Sequence, residues 1–203
     1  MPLHNTSEQW GWPAKAFHWI VGLLMIGLLL VGFYMVTAVY WFYPESDAFS
    51  IRMELTQTHK SFGFLVFFLA LARVVWRWYS PAHPDLPADA KGWERLASNG
   101  THALLYVLMF LLPLSGWLMA STSPLNDADA YPAPIRNMVF GLFPMPDAMQ
   151  PGDREVSNVF KAIHYYSGIA LAALLALHIA AALKHHFVDR DGILRRMLPG
   201  GRA

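Results

Sequence analysis

Charged residues are absent from four long stretches of the chain, and these stretches predict its main elements. No Asp, Glu, Lys or Arg occurs between Lys15 and Glu45, Lys60 and Arg73, Arg95 and Asp127, or Lys161 and Lys184. Three of the stretches exceed the ~20 apolar residues with which a helix crosses the hydrocarbon core of a bilayer. The second is shorter, and we expect its flanking cations to extend toward water while the helix continues. The pattern therefore predicts four membrane spans, at about residues 14–40, 57–79, 101–121 and 159–185.

Lysine and arginine are divided unequally between the two sides that these spans define. Ten lie on the side of the termini: Lys15, Arg73, Arg77, Lys91, Arg95, Lys184, Arg190, Arg195, Arg196 and Arg202. Five lie on the other side: Arg52, Lys60, Arg136, Arg154 and Lys161. Because cytoplasmic segments carry the excess of positive charge, we predict that both termini are cytoplasmic. The longest remaining segment, 122–158, contains six prolines and is predicted to be an outer loop of turns and short helices.

The composition agrees with a protein whose main partner is the lipid bilayer. The chain has 203 residues, of which 55% are hydrophobic and 14% charged, whereas soluble domains carry about 25% charged residues. The net charge of +1 gives no indication of a nucleic-acid partner. We predict an all-α fold: an integral membrane four-helix bundle that forms a single domain over residues 1–203.

Four histidines lie within the predicted spans: His18, His59, His164 and His178. An imidazole in hydrocarbon is costly without a partner, so each of them indicates a functional site. His164 and His178 are separated by about 21 Å along the fourth helix and return to nearly the same face of it. Because the helices alternate in direction, His59 falls at the depth of His164 and His18 at the depth of His178. Two pairs at two depths indicate two metal centres, and haem bound by two histidines is the simplest explanation.

The cysteine count limits the kind of haem. The chain has no Cys, which excludes thiolate ligands, iron–sulfur clusters and covalent haem attachment, so the two predicted haems are bound non-covalently. Ligation by two histidines leaves no open position on the iron, and this suits electron transfer better than oxygen binding.

Small residues follow the four histidines at a fixed spacing. Gly22, Gly63 and Gly168 stand four residues after His18, His59 and His164, and Ala182 stands four after His178. Residues i and i+4 share a helix face, so a glycine there leaves room for a porphyrin ring. We therefore predict that the three glycines bind the cofactor, although close helix packing also favours small residues.

His102 opens the third predicted helix and has Tyr106 at i+4. We interpret these two residues as partners of a haem propionate or a quinone carbonyl, with the alternative that His102 replaces His18 as partner of His178. Arg73 and Arg77 fit either extension toward water or propionate binding. Two further pairs are expected outside the sites: His185 and His186 at the interface, and His4 and His83 in water. Di-iron is disfavoured because no carboxylate lies within the spans.

Several short stretches together resemble the bacterial cytochrome b561 family, over nearly the whole chain. They are Phe17-His18-Trp19, His59-Lys60-Ser61-Phe62-Gly63, His102 with Leu105-Tyr106, Pro113-Leu114-Ser115-Gly116, His164, His178, and the tail from His185-His186-Phe187 through Asp191-Gly192 to Arg196-Met197. The resemblance implies a four-helix bundle in the bacterial inner membrane, two b haems and electron exchange with the quinone pool. It assigns the haem ligands to His18, His59, His164 and His178.

The expected function is transmembrane electron transfer that exchanges electrons with a quinone such as ubiquinone. Some family members resemble superoxide oxidases, and Lys60, Arg154 and Lys161 would form a positive patch on the outer side that steers an anion. Two alternatives remain open. One is a haem b membrane anchor for a dehydrogenase or hydrogenase complex, with segment 122–158 as the docking surface for a periplasmic donor protein. The other is a non-redox transporter in which the histidines relay protons.

Overall fold

The computed structural model describes residues 2–84, 91–127 and 136–201. In chain order, its elements are α1 (Trp12–Thr37), α2 (Val39–Phe42), α3 (Glu45–Tyr79), α4 (Gly92–Ser121), β1 (Met138–Val139), β2 (Phe143–Pro144), α5 (Arg154–Lys184) and α6 (Ile193–Met197). A 3₁₀ turn, Pro124–Asn126, follows α4, and a π-helical turn, His185–Asp189, follows α5. Residues 128–135 of the predicted outer loop, and Arg202 of the charge count, lie outside the described residues.

Four of these helices, α1, α3, α4 and α5, are long and apolar enough to cross a membrane. Each of them overlaps one of the four predicted spans, so the predicted class, an all-α integral membrane protein with four spans, is confirmed. The cytoplasmic location of the termini stays a prediction.

Three of the helices begin earlier in the chain than the predicted spans. Helix α3 begins at Glu45 instead of residue 57, α4 at Gly92 instead of 101, and α5 at Arg154 instead of 159. The charge pattern marks only the part of a helix that lies in hydrocarbon, whereas backbone hydrogen bonding continues into water. Each early start also has a carboxylate in its first turn, where the helix dipole favours negative charge.

The segment between α4 and α5 contains a β-hairpin, which the prediction of turns and short helices did not include. Met138 pairs with Pro144 and Val139 with Phe143, in antiparallel register. At the turn, Phe140 and Gly141 both have positive φ, 51° and 69°. Such a conformation is rare for a residue with a side chain, and the strands have two residues each, so no sequence pattern identifies this element. We call residues 138–144 the hairpin.

The residues cluster into two compact units. The first contains Met1–Leu23, Leu69–Leu108 and Ala170–Ala203, and the second contains Leu24–Phe68 and Met109–Ile169. Each long helix therefore contributes one part of its length to each unit. The single domain over residues 1–203 remains a prediction.

In the first unit, the buried Asn5 joins the N-terminal segment to the end of α3. Its backbone N–H donates to Ser80 Oγ at 2.9 Å and its side-chain amide donates to the Ser80 carbonyl at 3.0 Å. The side-chain oxygen of Asn5 accepts from the N–H of Gly11 at 2.9 Å. These bonds hold the segment that leads into α1.

In the second unit, Asn137 joins α3, α4 and the hairpin. Its side-chain oxygen accepts from the Lys60 ammonium. Its NH₂ group donates to the Ala120 carbonyl at 3.2 Å and to Asp147 Oδ1 at 3.3 Å. Only 7% of Asn137 is exposed, so the amide forms these bonds away from water.

We expect Asn137→Ala to lower the free energy of unfolding by about 1–3 kcal/mol, because it removes the hydrogen-bond partner of the half-buried Lys60 ammonium. The measurement is the thermal unfolding temperature in mild detergent. Asn158→Ala, at an exposed position on α5, is the matched control. Equal unfolding temperatures for the two variants would contradict this account of Asn137.

Candidate functional site

The second unit brings together His59 on α3 and His164 on α5. Their ring centroids are 6.1 Å apart and their ring planes are inclined by 79°. Two imidazoles that bind one metal ion from opposite sides have centroids about 6 Å apart, because a metal–nitrogen bond is about 2 Å long and the ring centre lies about 1 Å beyond the nitrogen. The spacing therefore fits a metal between the two rings.

The hydrogen bonds of His164 leave one ring nitrogen available to a metal. Its Nδ1 lies 3.0 Å from the Leu112 carbonyl oxygen. Since a carbonyl only accepts, Nδ1 carries the hydrogen and Nε2 keeps its lone pair. Metal-binding histidines usually donate their second N–H in this way. On the facing ring, His59 Nδ1 is buried and has no hydrogen-bond partner among the described residues.

Two glycines that the sequence analysis did not select lie against these rings. A Cβ added at Gly116 would stand 3.0 Å from His164 Cε1, and one added at Gly32 would stand 3.4 Å from His59 Cε1. Gly116 therefore permits the close approach of α4 to the His164 ring. Gly116 belongs to the Pro113–Gly116 motif. Its contact with His164 could not be predicted from the sequence, because the contact depends on how α4 and α5 are rotated about their axes.

The three glycines that the sequence analysis predicted to bind the cofactor do not lie against a histidine ring. A Cβ at Gly22 or Gly63 would meet no atom within 4 Å, and one at Gly168 would meet only Leu29 Cδ2, at 4.0 Å. The space beside them would admit a flat group such as a porphyrin. Their role in cofactor binding stays a prediction.

The first unit brings together His18 on α1 and His178 on α5. Their ring centroids are also 6.1 Å apart, with the planes inclined by 54°. The ring of His102, on α4, lies closer to His178, with centroids 5.2 Å apart. The His18–His178 spacing matches two ligands of one metal, whereas the His102–His178 spacing is too short. The geometry therefore favours His18 over His102 as the partner of His178.

Arg73 controls the tautomer of His18. Its Nη2 atom lies 3.3 Å from His18 Nδ1. Because a guanidinium only donates, His18 Nδ1 accepts and the ring hydrogen lies on Nε2. Binding a metal through Nε2 requires that hydrogen to move to Nδ1 and Arg73 to turn away. Arg73 also lies over the Tyr106 ring, 5.2 Å from its centroid, so one guanidinium contacts both rings.

Two cations of α3 approach the Tyr106 ring in the first unit. Arg77 is 5.7 Å from the centroid of the Tyr106 ring, in addition to the contact with Arg73. His102 is exposed, and its Nδ1 lies 2.7 Å from the Ser98 carbonyl, so its Nε2 keeps a lone pair. His102, Tyr106 and the two arginines thus offer donors, an acceptor and positive charge to an anionic or carbonyl group.

The C-terminal segment is held beside His18 by two residues of α1. Lys15, only 3% exposed, donates to the carbonyls of Leu198 and Gly201 at 3.1 and 3.0 Å. Trp19 donates through Nε1 to the Met197 carbonyl at 2.9 Å, and its ring contacts His18 edge-on. The charge pattern assigned Lys15 to the membrane interface and gave no signal of this contact.

Of the remaining histidines, His83 is exposed, as expected, and His4 is exposed but also stacks on Trp76. His185 Nδ1 lies 2.6 Å from Asp191 Oδ2 and 3.2 Å from Asp189 Oδ2. Within the part of the chain that the structure describes, this is the one group of three side chains arranged as metal ligands. Lys184 also binds Asp189, so ion pairing accounts for the group.

The structure changes the interpretation of the predicted positive patch. The Lys60 ammonium is bound to the Asn137 side-chain oxygen. It therefore serves as a structural contact more than as an accessible charge. Arg154 and Lys161 are exposed and remain accessible to an anion.

Four spans with two pairs of facing histidines are the features expected of a membrane haem protein that transfers electrons. The sequence profile of the prokaryotic cytochrome b561 family matches residues 9–200. Cytochrome b561 homolog 2 of Escherichia coli (strain K12) is 32% identical over 201 residues, 98% of this chain and 95% of that protein. Cytochrome b561 homolog 1 of the same organism is 25% identical, covering 90% and 92% of the two chains. A protein of Yersinia pestis named probable superoxide oxidase CybB is 28% identical, covering 92% and 93%.

The chain belongs to the prokaryotic cytochrome b561 family. It is a multi-pass protein of the bacterial inner membrane that takes part in electron transfer and uses b-type haem. The histidine spacing in both units and the donor bond of His164 fit such a group. The resemblance predicted from the sequence is confirmed.

We expect Gly116→Ala to lower the haem content, because the new methyl group would displace the His164 ring. Gly27→Ala is the matched control: a Cβ at Gly27 meets no atom within 4 Å, and alanine is favoured over glycine in helices by about 1 kcal/mol. The measurements are the haem:protein ratio and the unfolding temperature of each purified variant. If both variants retain haem equally, Gly116 does not position His164.

Proposed function

We propose that the protein binds two b haems, one between His59 and His164 and one between His18 and His178, and passes electrons between them and a membrane quinone. The observation that carries the proposal is the equal spacing of the two histidine pairs, 6.1 Å in each unit. Both pairs draw one member from α5. Bound haem would supply one-electron chemistry at its iron.

The surrounding residues support a site that is built for electron transfer. Two histidines on opposite sides of one iron leave no position for a substrate to bind the metal. The Leu112 carbonyl fixes the orientation of His164, and Gly116 allows α4 to approach the ring. Such fixed ligands reduce the rearrangement that accompanies a change of charge.

The number of haems per chain in the purified protein tests the proposal of two haems. We expect sharp low-spin b-type bands in the reduced-minus-oxidised spectrum and about two haems per chain, falling to about one in His59→Ala or His178→Ala because each pair binds one haem. His4→Ala, outside both pairs, is the control. A wild-type ratio near one would remove one of the pairs from the proposal. Absence of haem would contradict the assignment of both pairs.

The proposed quinone site is formed by His102 and Tyr106 in the first unit. Quinone reduction consumes protons as well as electrons, and the exposed imidazole of His102 is suited to transfer a proton. Arg73 and Arg77 carry the positive charge that would stabilise a reduced quinone oxygen. The exposure of His102 leaves it accessible to a molecule that enters from the bilayer or from its surface.

We expect His102→Ala to slow oxidation of the reduced protein by a soluble ubiquinone analogue about tenfold or more, as for loss of a general acid. Its haem content and spectrum should be unchanged, because His102 is not a proposed ligand. His83→Ala is the control at an exposed position. Unchanged quinone kinetics in His102→Ala would exclude this role, and loss of one haem would identify His102 as a ligand.

Superoxide oxidation is the second candidate function. It is favoured by the similarity to the Yersinia pestis protein of that name and by the exposed cations Arg154 and Lys161, which would attract an anion. It ranks second because the Lys60 ammonium is already bound to Asn137. Reduction of the haem by enzymatically generated superoxide, or its absence, separates this candidate from quinone-linked transfer that uses a protein donor.

A further inference from the structure

An apolar groove of about 350 Å³ lies between α3 and the hairpin, within the second unit. Helix α3 contributes Phe64, Leu65 and Phe68, and the hairpin contributes Phe140 and Phe143. The volume is at the lower end of the range for small-molecule pockets, about 300–1,000 Å³. Neither histidine pair lines this groove, so it is separate from the proposed haem sites.

Ser61 is the one polar side chain in the lining, and its hydroxyl is already engaged. It donates to the Gln57 carbonyl at 2.8 Å and accepts from the N–H of Phe140 at 2.8 Å. The described lining therefore offers no free hydrogen-bonding side chain to a quinone ring, a peptide or a lipid headgroup. What fits such a groove is a hydrocarbon chain.

The hairpin turn exposes apolar side chains where a turn in water would carry polar ones. Phe140 has a left-handed backbone conformation, which is unfavourable for a residue with a Cβ. Half of Phe143 and 79% of Leu142 are exposed. Such exposure is costly in water, and a strained turn that maintains it indicates contact with an apolar phase.

The groove also lies along the charge-free part of α3. Phe68 is eight residues beyond Lys60, about 12 Å along the helix axis. Leu65 and Phe68 are exposed, as are Leu71 and Val75 further along the same helix. On a membrane span, exposed residues of this kind contact lipid, so the groove is continuous with the surface that α3 presents to the bilayer.

Three backbone N–H groups in and beside the hairpin have partners within the protein. Leu142 N–H donates to the Val139 carbonyl at 2.9 Å and Met145 N–H to the Asn137 carbonyl at 2.8 Å, in addition to the bond from Phe140 to Ser61. Backbone polar groups in hydrocarbon need such internal partners.

We propose that one acyl chain of a membrane phospholipid occupies the groove between α3 and the hairpin, and that the hairpin thereby anchors the segment between α4 and α5 to the bilayer. The site takes the chain alone. It is independent of the haem and quinone proposals.

The test uses the full-length haem-loaded protein in liposomes that contain a phospholipid with a photoreactive diazirine in one acyl chain. After illumination, mass spectrometry locates the labelled peptides. We expect labelling of 61–68 and 139–143. Phe143→Asp should lower it severalfold, because the carboxylate enters the groove. Phe143→Leu, which keeps the position apolar, should restore it.

Met149→Asp is the matched control, since Met149 is exposed in the same segment between α4 and α5 but lies outside the hairpin and does not line the groove. Its haem spectrum and groove labelling should resemble those of the wild type. The proposal is overturned if the groove peptides are not labelled, or if Phe143→Asp and Met149→Asp lose labelling equally. It is also overturned if a photoreactive isoprenoid quinone labels the groove and displaces the phospholipid.

Discussion

A polar ring inside a membrane needs a partner, and the local structure depends on how this requirement is met for four imidazoles. In each unit, a histidine of α5 faces a histidine from another span. The neighbouring helices must then leave room for the imidazole rings. Gly116 lies against the His164 ring, and Gly32 lies against the His59 ring. The carbonyl of Leu112 accepts hydrogen bonds from the His164 ring and from the Ser115 hydroxyl, since a carbonyl oxygen has two lone pairs.

The membrane spans could be predicted from the sequence because charge is expelled from hydrocarbon, but the ends of the helices could not. Glu45 and Arg154 begin helices well before the apolar stretches, and nothing in a hydropathy pattern distinguishes a helix in water from a loop. The hairpin was equally unpredictable. Its turn depends on a left-handed backbone conformation at Phe140, which is unfavourable for any residue with a Cβ atom.

The candidate site, too, could be predicted only in part. Helix rise alone gives the depth of each histidine, so the residues that face one another could be paired from sequence spacing. Contacts that depend on the rotation of one helix against another could not. Gly116 and Arg73 are examples, since the first meets His164 from α4 and the second meets His18 from α3. The role of these residues as haem ligands or supports stays a prediction.

Two lysines next to the proposed ligands have the same structural role in different units. Lys60, beside His59, binds Asn137 before the hairpin, and Lys15, one turn before His18, binds carbonyls of the C-terminal segment. A lysine on a membrane span must satisfy its ammonium group, as a histidine must satisfy its ring. Each therefore recruits a segment outside the spans and holds it near a histidine pair. The positive charges of Lys60 and Lys15 are therefore already used by the fold, and the proposed steering of an anion would fall to exposed cations such as Arg154.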